Sequence, residues 1–124
     1  MKNKILLVDD KQEFLQLTKL FLSRNFEIET AENGLMAIKK LQTGYVPDLI
    51  VSDLIMPLVD GKTFVTQIRA SGIFKRIPII ILSSIEKSSE KIELLKSGAS
   101  DYMVKPFNPE ELEVRIIRLL KTVA

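Results

Sequence analysis

The 124-residue chain contains neither cysteine nor histidine. Without cysteine there is no disulfide framework and no thiolate metal site, so the fold needs no oxidising compartment. Without histidine the chain lacks the most common general base and the most common metal ligand, and it cannot itself carry a phosphohistidine. Carboxylates and hydroxyls are therefore the side chains that remain for chemistry.

Long apolar runs are also missing from the sequence. The run Ile5–Val8 ends at two aspartates and is shorter than the apolar region of about 7–15 residues in a signal peptide. No other stretch approaches the ~20 residues of a membrane span. We therefore expect a cytoplasmic protein without a membrane partner.

Neither sign of charge dominates, because 18 basic and 16 acidic residues leave a formal net charge of +2. The basic residues form no block of the kind that follows a nucleic-acid backbone, so direct nucleic-acid binding is not expected. With 46% hydrophobic and 27% charged residues, the composition is that of one globular domain. We predict a single domain over residues 1–124.

Five short apolar runs predict β-strands. Three of them are nearly continuous, as in strands that are covered on both faces of a parallel sheet, whereas Phe26–Thr30 alternates and suits an edge strand. The predicted strands are Lys4–Val8, Phe26–Thr30, Asp48–Ser52, Ile77–Leu82 and Asp101–Val104.

Between these runs, apolar residues recur at intervals of three and four, which is typical of amphipathic helices. The predicted inner faces are Phe14, Leu17, Leu20 and Phe21; Leu35, Ile38 and Leu41; Phe64, Val65 and Ile68; Ile92 and Leu95; and Leu112, Ile116 and Leu119 or Leu120. Five strand and helix pairs predict an α/β fold of the doubly wound (βα)5 type, with helices on both faces of a parallel sheet. Ligands bind such sheets at the carboxyl ends of the strands.

Polar side chains stand at those predicted strand ends. They are Asp9, Asp10, Asp53, Ser83, Ser84 and Lys105. Three carboxylates within ~5 Å of one another repel by several kcal/mol, more than one lysine can offset. Because these carboxylates and hydroxyls supply only oxygen ligands, Mg²⁺ is the expected cation and Mn²⁺ an alternative. A carboxylate beside such an ion, with an ammonium and a hydroxyl nearby, is equipped to attack a phosphoryl group.

Each of these residues also has an ordinary structural interpretation. Asp10 and Ser83 both stand where they could cap a helix, and Ser83 is followed three residues later by Glu86. Lys105 could be a solvated lysine, and Tyr102 a half-buried strand residue with its hydroxyl in water. The cap interpretation does not explain Asp53, because a loop with Pro57 follows it rather than a helix.

The motifs together resemble the receiver domain of two-component response regulators, the CheY-like family. The resemblance rests on Asp9-Asp10, on Asp53 followed by Met56-Pro57 and Asp60-Gly61, on Ser83, and on GASDYMVKPF at residues 98–107. It covers essentially the whole chain. It implies a flavodoxin-like three-layer sandwich with strand order 2-1-3-4-5. With or without the resemblance, Asp60-Gly61 is expected to have only a turn and cap role.

The resemblance further implies a set of site residues. Asp53 matches the phosphoacceptor, which takes its phosphoryl group from a phosphohistidine of a sensor kinase or phosphotransfer protein. Asp10 and Asp53 would ligate Mg²⁺ directly, Asp9 would do so through water, and the backbone carbonyl of Ile55 would complete the protein's share. The protein would catalyse only its own phosphorylation and dephosphorylation.

The remaining matched positions concern the phosphoryl group and the response to it. Ser83 matches the switch hydroxyl, Ser84 would offer its backbone N–H, and Lys105 would form an ion pair with the phosphoryl group. Tyr102 matches the aromatic residue that moves inward with Ser83. The Lys105-Pro106 peptide bond would be cis, which only an X-Pro bond allows at low cost.

The output surface implied by the resemblance is formed by the fourth helix, the fifth strand and the fifth helix. It would serve an unknown output domain or effector. Lys91, Asp101, Glu111 and Arg115 resemble the charge pairs of receivers that dimerise when phosphorylated. Ser97 and Glu113 depart from that pattern, so a homodimer stays one of two open outcomes.

Two other classes of protein use similar topologies. A phosphatase of the haloacid dehalogenase type needs an acid two residues after its aspartyl nucleophile, and here that position is Ile55. A flavodoxin-like cofactor binder needs a hydroxyl- or glycine-rich first loop, and here that loop reads Asp-Asp-Lys, which would repel a phosphate in the absence of a metal.

Overall fold

The computed structural model describes residues 2–85 and 87–122. Within these residues five strands alternate with five helices: β1 (Lys4–Val8), α1 (Gln12–Leu22), β2 (Glu27–Ala31), α2 (Gly34–Gln42), β3 (Leu49–Asp53), α3 (Gly61–Ala70), β4 (Ile79–Ser83), α4 (Ser88–Ser97), β5 (Asp101–Val104) and α5 (Pro109–Thr122). The strands form one parallel sheet in the order β2-β1-β3-β4-β5. The predicted doubly wound, flavodoxin-like fold is confirmed.

Two apolar layers cover the two faces of the sheet. Successive residues of β1 point to opposite layers, since Leu6 packs with α2, α3 and α4, whereas Ile5 and Leu7 pack with α1 and α5. Every residue of β3 and β4 is buried. The edge strand β2 alternates between buried and exposed residues, as its sequence predicts.

The strand ends lie slightly later than the sequence pattern predicts. β3 includes Asp53, because that residue still lies opposite Leu82 in the ladder and the next backbone N–H, that of Leu54, donates to the Leu82 carbonyl over 3.0 Å. β4 likewise extends to Ser83. Sequence patterns mark a strand by its apolar residues, so they miss polar residues that still pair at its end.

Three predicted helix faces are wrong in part. On α2 the predicted Leu41 is buried, but Leu35 is 36% exposed. On α1 the buried leucines are Leu15 and Leu22, whereas Leu17 is 69% exposed and Leu20 is 74% exposed. On α4 the buried residue is Leu94, and the predicted Ile92 and Leu95 are exposed. Overlapping series of apolar residues satisfy the same helical spacing, so spacing alone did not decide which series faces the sheet. The predicted faces of α3 and α5 are confirmed.

Short polar side chains begin three of the helices. Asn33 accepts a hydrogen bond from the Met36 backbone N–H over 2.8 Å, and Asp60 accepts one from Thr63 over 2.8 Å. Asn108 accepts from the Glu110 backbone N–H over 2.8 Å, as predicted for the start of α5. These caps fix where the helices start relative to the sheet.

Gly61 lets α3 start against the strand that carries Asp53. A Cβ atom at this position would lie 2.7 Å from the Asp53 carbonyl oxygen and 2.8 Å from the Leu54 Cα. Both neighbours are backbone atoms, so a larger residue would push the helix away from the strand. Among the described residues, no helix is long and apolar enough to cross a bilayer.

Candidate active site at the carboxyl edge of the sheet

Three aspartates meet where β1 and β3 end. Asp9 follows the last residue of β1, and Asp53 is the last residue of β3, the neighbouring strand. Asp9 is 1% exposed and Asp53 8% exposed, whereas Asp10 is open to solvent. One carboxylate oxygen from each of the three lies within 4.8 Å of the other two. The structure therefore brings together the three predicted metal ligands.

Lys105 lies between the two buried carboxylates. Its Nζ donates to Asp9 Oδ2 over 2.9 Å and lies 3.5 Å from Asp53 Oδ1. Asp9 Oδ1 also accepts the Lys11 backbone N–H over 2.9 Å, and Asp53 Oδ1 accepts that of Leu54 over 3.0 Å. The interpretation of Lys105 as a solvated lysine is wrong, because its side chain is 17% exposed and paired.

The cap interpretation of Asp10 is also wrong. α1 begins at Gln12, so the capping position belongs to Lys11 rather than to Asp10. The backbone N–H at that position is bonded by Asp9 instead. Asp10 is thus left with its carboxylate in the acidic cluster.

The site carries more negative charge than its protein neighbours offset. Burial raises the pKa of Asp53, and the negative charge of Asp9 raises it further, while Lys105 and the Leu54 N–H lower it without full compensation. A divalent cation would relieve this excess. The donors are oxygen atoms, and an exposed carboxylate stands beside two buried ones, so the residues fit the coordination preferences of Mg²⁺ or Mn²⁺.

Ser83 and Tyr102 both bond to Ile85. The Ser83 Oγ accepts the Ile85 backbone N–H over 3.0 Å, and the Tyr102 hydroxyl donates to the Ile85 carbonyl over 2.7 Å. Ser83 is 1% exposed and Tyr102 3% exposed, so the Tyr102 hydroxyl does not point into water. Ser83 is not a helix cap either, because α4 starts at Ser88. Glu86, the other half of the predicted capping box, lies outside the described residues.

Lys105 follows the last residue of β5 and lies at the same carboxyl edge of the sheet as Ser83. The Lys105 backbone N–H donates to the Ser83 carbonyl over 2.7 Å, which holds the lysine next to the serine. The Lys105-Pro106 peptide bond is cis, as predicted. Ser84 and Lys105 both line a cavity of about 560 Å³ that continues along α1. Ile55 is 62% exposed. The roles of the Ser84 N–H and the Ile55 carbonyl stay predictions.

Phe14 and Phe107 also lie at the site, although the sequence predicts no site role for either. Lys105 Nζ lies 4.2 Å from the centroid of the Phe14 ring, and that ring meets Phe107 edge to face with centroids 5.9 Å apart. The helical spacing predicts Phe14 only as part of an apolar helix face, and Phe107 lies in the GASDYMVKPF motif without a predicted role. Helical spacing does not reveal that one edge of such a face borders a charged site.

The fold and the acidic cluster together define a class: a doubly wound α/β domain with a metal-competent carboxylate site at the carboxyl edge of its sheet. Comparison with known proteins identifies the family within that class. A family model described as the response regulator receiver domain matches residues 5–117. This chain belongs to that family, and its role is that of a phosphoacceptor domain in two-component signalling.

Individual relatives agree with this assignment. The chain is 40% identical over 122 residues to the transcriptional regulatory protein ResD of Bacillus subtilis, covering 97% of this chain and 49% of that protein. It is 37% identical over 116 residues to the hybrid signal transduction histidine kinase D of Dictyostelium discoideum, covering 94% of this chain and 7% of the kinase. The receiver domain of the Francisella response regulator 1452 has a TM-score of 0.90 and 34% identity, covering 98% of this chain and 99% of that one.

The chain therefore spans about half the length of the bacterial regulator and a small part of the hybrid kinase. The shared portion is the receiver. The remaining portions of both relatives lie outside the similarity.

Proposed function

We propose that Asp53 is the residue that receives the phosphoryl group, in a reaction that requires Mg²⁺ or Mn²⁺ held by Asp9, Asp10 and Asp53. One observation carries the proposal. The Asp53 carboxylate is buried at a strand end, beside a second buried carboxylate and 3.5 Å from Lys105 Nζ, and burial, followed by the negative charge of Asp9, raises its pKa. The Ile55 carbonyl and the Ser84 N–H are part of the same proposal.

The chemistry is an in-line transfer to a carboxylate. An Asp53 oxygen attacks the phosphorus of a phosphohistidine, the P–N bond breaks, and the imidazole nitrogen leaves with the bonding electrons and takes up a proton. Lys105 and the Ser83 hydroxyl stabilise the phosphoryl oxygens in the transition state. Bound Mg²⁺ supplies further neutralisation of the carboxylates and of the incoming phosphate.

The phosphohistidine must lie outside residues 1–124, because these contain no histidine, and the proposed donor is a histidine kinase or a phosphotransfer protein. The named relatives include a transcriptional regulatory protein and a hybrid kinase, so the family serves more than one output. We propose a receiver over residues 1–124 that acts on an output domain or effector yet to be identified. It catalyses only its own phosphorylation and dephosphorylation.

Ser83, Ile85 and Tyr102 form the proposed switch. If the Ser83 hydroxyl turns to a phosphoryl oxygen, it gives up the 3.0 Å bond from the Ile85 N–H, and the Ile85 segment that also holds the Tyr102 hydroxyl is then free to rearrange. Tyr102 belongs to β5, and Ile85 lies in the segment between β4 and α4. The change would therefore reach the α4-β5-α5 surface.

The proposed homodimer through α4-β5-α5 is a separate question. Exposed apolar residues on α4 and α5, such as Ile92 and Val114, favour association. Arg115 already binds Asp101 over 2.9 Å and Glu111 over 3.0 Å in its own chain, so a dimer would have to share or exchange these bonds. Light scattering with and without beryllofluoride and Mg²⁺ distinguishes the outcomes, and a monomer in both states would exclude the dimer.

Intact-mass spectrometry after incubation with acetyl phosphate and Mg²⁺ tests the phosphoacceptor proposal. We expect the wild-type chain to gain one labile phosphoryl group and Asp53→Asn to gain none. Asp48→Asn is a matched control, because Asp48 flanks the other end of β3 and accepts the Lys4 backbone N–H at an exposed position. A phosphoryl adduct on the Asp53→Asn chain would overturn the proposal, as would a wild-type chain that stays unlabelled.

A further inference from the structure

The ammonium group of Lys105 has two kinds of neighbour. On one side Nζ contacts Asp9 Oδ2 over 2.9 Å and faces Asp53 Oδ1 at 3.5 Å, and on the other it lies 4.2 Å from the centroid of the Phe14 ring. The face of an aromatic ring carries partial negative charge, so it attracts a cation at this distance. Phe14 thus gives the ammonium an uncharged neighbour besides the two carboxylates.

The Phe14 ring is itself held in place. It belongs to the first turn of α1, and the edge-to-face contact with Phe107, at an interplanar angle of 77°, limits its rotation. Phe107 follows Lys105 by two residues. Both rings are half-buried against the apolar layer that α1 and α5 share. The ring that faces the ammonium is therefore anchored to the same segment that carries the lysine.

An aromatic ring orients a lysine in a way that a carboxylate cannot. The lysine stem is flexible, and its ammonium must be held at a defined point to meet a phosphoryl oxygen. A third carboxylate at the position of Phe14 would hold it but would also neutralise its charge. A ring face holds the ammonium by a weaker attraction, so the positive charge stays available for the incoming phosphate.

We propose that Phe14 is a positioning residue for Lys105, which it orients toward Asp9 and Asp53 by a cation–π contact. The inference rests on the proposed function, because it assigns Lys105 to the phosphoryl group. A residue that only filled space would act through its size, whereas a positioning residue acts through the electron density of its ring. The two roles therefore respond differently to fluorination.

The chain offers a matched comparison on the same helix. The Phe21 ring lies 4.3 Å from the Arg24 guanidinium carbon, lines the same cavity as Phe14 and also packs against the α1 and α5 layer. It lies at the other end of α1, away from the aspartates. Changes at Phe21 report what loss of a cation–π contact does to this layer in general.

The test replaces Phe14 with phenylalanines of increasing fluorination and measures the rate of phosphorylation by acetyl phosphate and Mg²⁺. Ring fluorination removes the negative potential of the face with little change in shape. We expect the rate to fall stepwise, by about two- to tenfold over the series. The same series at Phe21 should leave the rate unchanged. A constant rate across the Phe14 series, or equal losses at both positions, would overturn the proposal.

A second measurement does not depend on phosphorylation. The methylene protons next to Lys105 Nζ lie near the Phe14 ring face, so their NMR signals should be shifted upfield by the ring current and should return toward ordinary values in Phe14→Leu. Ordinary shifts in the wild-type protein would overturn the proposal. If the wild-type chain were never phosphorylated, the proposed function would fail, and this spectrum would still decide whether Phe14 holds the lysine.

Discussion

Arg69 and Lys105 are both partly buried cations, but they lie at opposite edges of the sheet and meet different partners. Arg69, near the amino ends of β4 and β5, donates to the carbonyl oxygens of Gly98 over 2.8 Å and Ile77 over 2.6 Å. Lys105 meets the carboxylates of Asp9 and Asp53. Neutral carbonyls face the first cation, and anionic groups face the second.

The difference separates a cation with a structural role from one that we propose to meet the phosphoryl group. Burial lowers the pKa of Arg69, and its hydrogen bonds tie the end of α3 to the turn after α4 and to the segment before β4. Gly98 makes room for it, since a Cβ there would lie 2.6 Å from the Arg69 Cγ. No ligand is needed to complete this arrangement. At the carboxyl edge three carboxylates face one lysine, so we expect a bound cation to stabilise that site.

Removing the lysine should have the largest effect on function. We expect Lys105→Met to slow phosphorylation by acetyl phosphate about 10²-fold, because one stabilising donor is lost from the transition state. The rate at which the phosphoryl adduct appears in the intact mass of the protein measures this effect. Arg69→Met is the matched control, and a rate within about twofold of wild type is expected there. Equal rate losses in both variants would show that Lys105 has no role in phosphorylation that Arg69 lacks.

Removing the arginine should instead lower stability. Arg69→Met leaves the Gly98 and Ile77 carbonyls without their donor, so we expect the free energy of unfolding to fall by about 1–3 kcal/mol. Urea denaturation measures it. Arg24→Met is a control at an exposed arginine that donates to the Phe21 carbonyl, with an expected loss below about 1 kcal/mol. If both arginine variants lose the same free energy of unfolding, the hydrogen bonds from Arg69 to the two carbonyls stabilise the fold no more than an exposed arginine does.

The stabilisation of the folded chain by Mg²⁺ should depend on the aspartates at the carboxyl edge of the sheet and not on Arg69 at the other edge. At about 10–100 times its dissociation constant, a ligand of the folded state alone stabilises it by roughly 1–3 kcal/mol. We expect this gain in the wild-type chain and in Arg69→Met, and a smaller gain in Asp10→Asn, which removes an exposed member of the cluster. Denaturation with Mg²⁺ or with EDTA checks it. Equal gains in Asp10→Asn and wild type would place the ion elsewhere.

Tyr45 carries a buried polar group of a third kind, a hydroxyl without a hydrogen-bond partner among the described residues. We expect Tyr45→Phe to change the free energy of unfolding at pH 7 by no more than about 1 kcal/mol, and toward higher stability. A clear loss of stability would reveal a bond to this hydroxyl.

The raised pKa of Tyr45 predicts that the folded chain loses stability at alkaline pH. Burial, followed by the charges of Glu29 and Glu27, raises the pKa of Tyr45 from 10.0 to about 12. The unfolded chain therefore loses this proton at a lower pH than the folded chain does. The resulting stability is present below pH 10.0 and is lost as the pH rises toward about 12. Tyr45→Phe should lack this part of the loss, as alkaline denaturation followed by circular dichroism would show.

Much of the fold followed from the sequence because strands and helices have different periods. The order of strands and the convergence of Asp9, Asp53 and Lys105 came from topology and family resemblance together. Which leucines of α1 face the sheet did not follow, because Leu15 and Leu17 both satisfy a helical spacing. The Phe14 contact and the bonds of Ile85 depend on side-chain and loop geometry, which no local pattern encodes.

The most direct test of the central claim locates the phosphoryl group by chemistry. Borohydride reduces an acyl phosphate to an alcohol, so the phosphorylated aspartate becomes homoserine, losing one oxygen and gaining two hydrogens. Peptide mass spectrometry of the reduced protein then identifies the position. We expect homoserine at residue 53 and at no other aspartate. Homoserine at residue 9 or 10, or an unmodified residue 53 in a labelled chain, would contradict it.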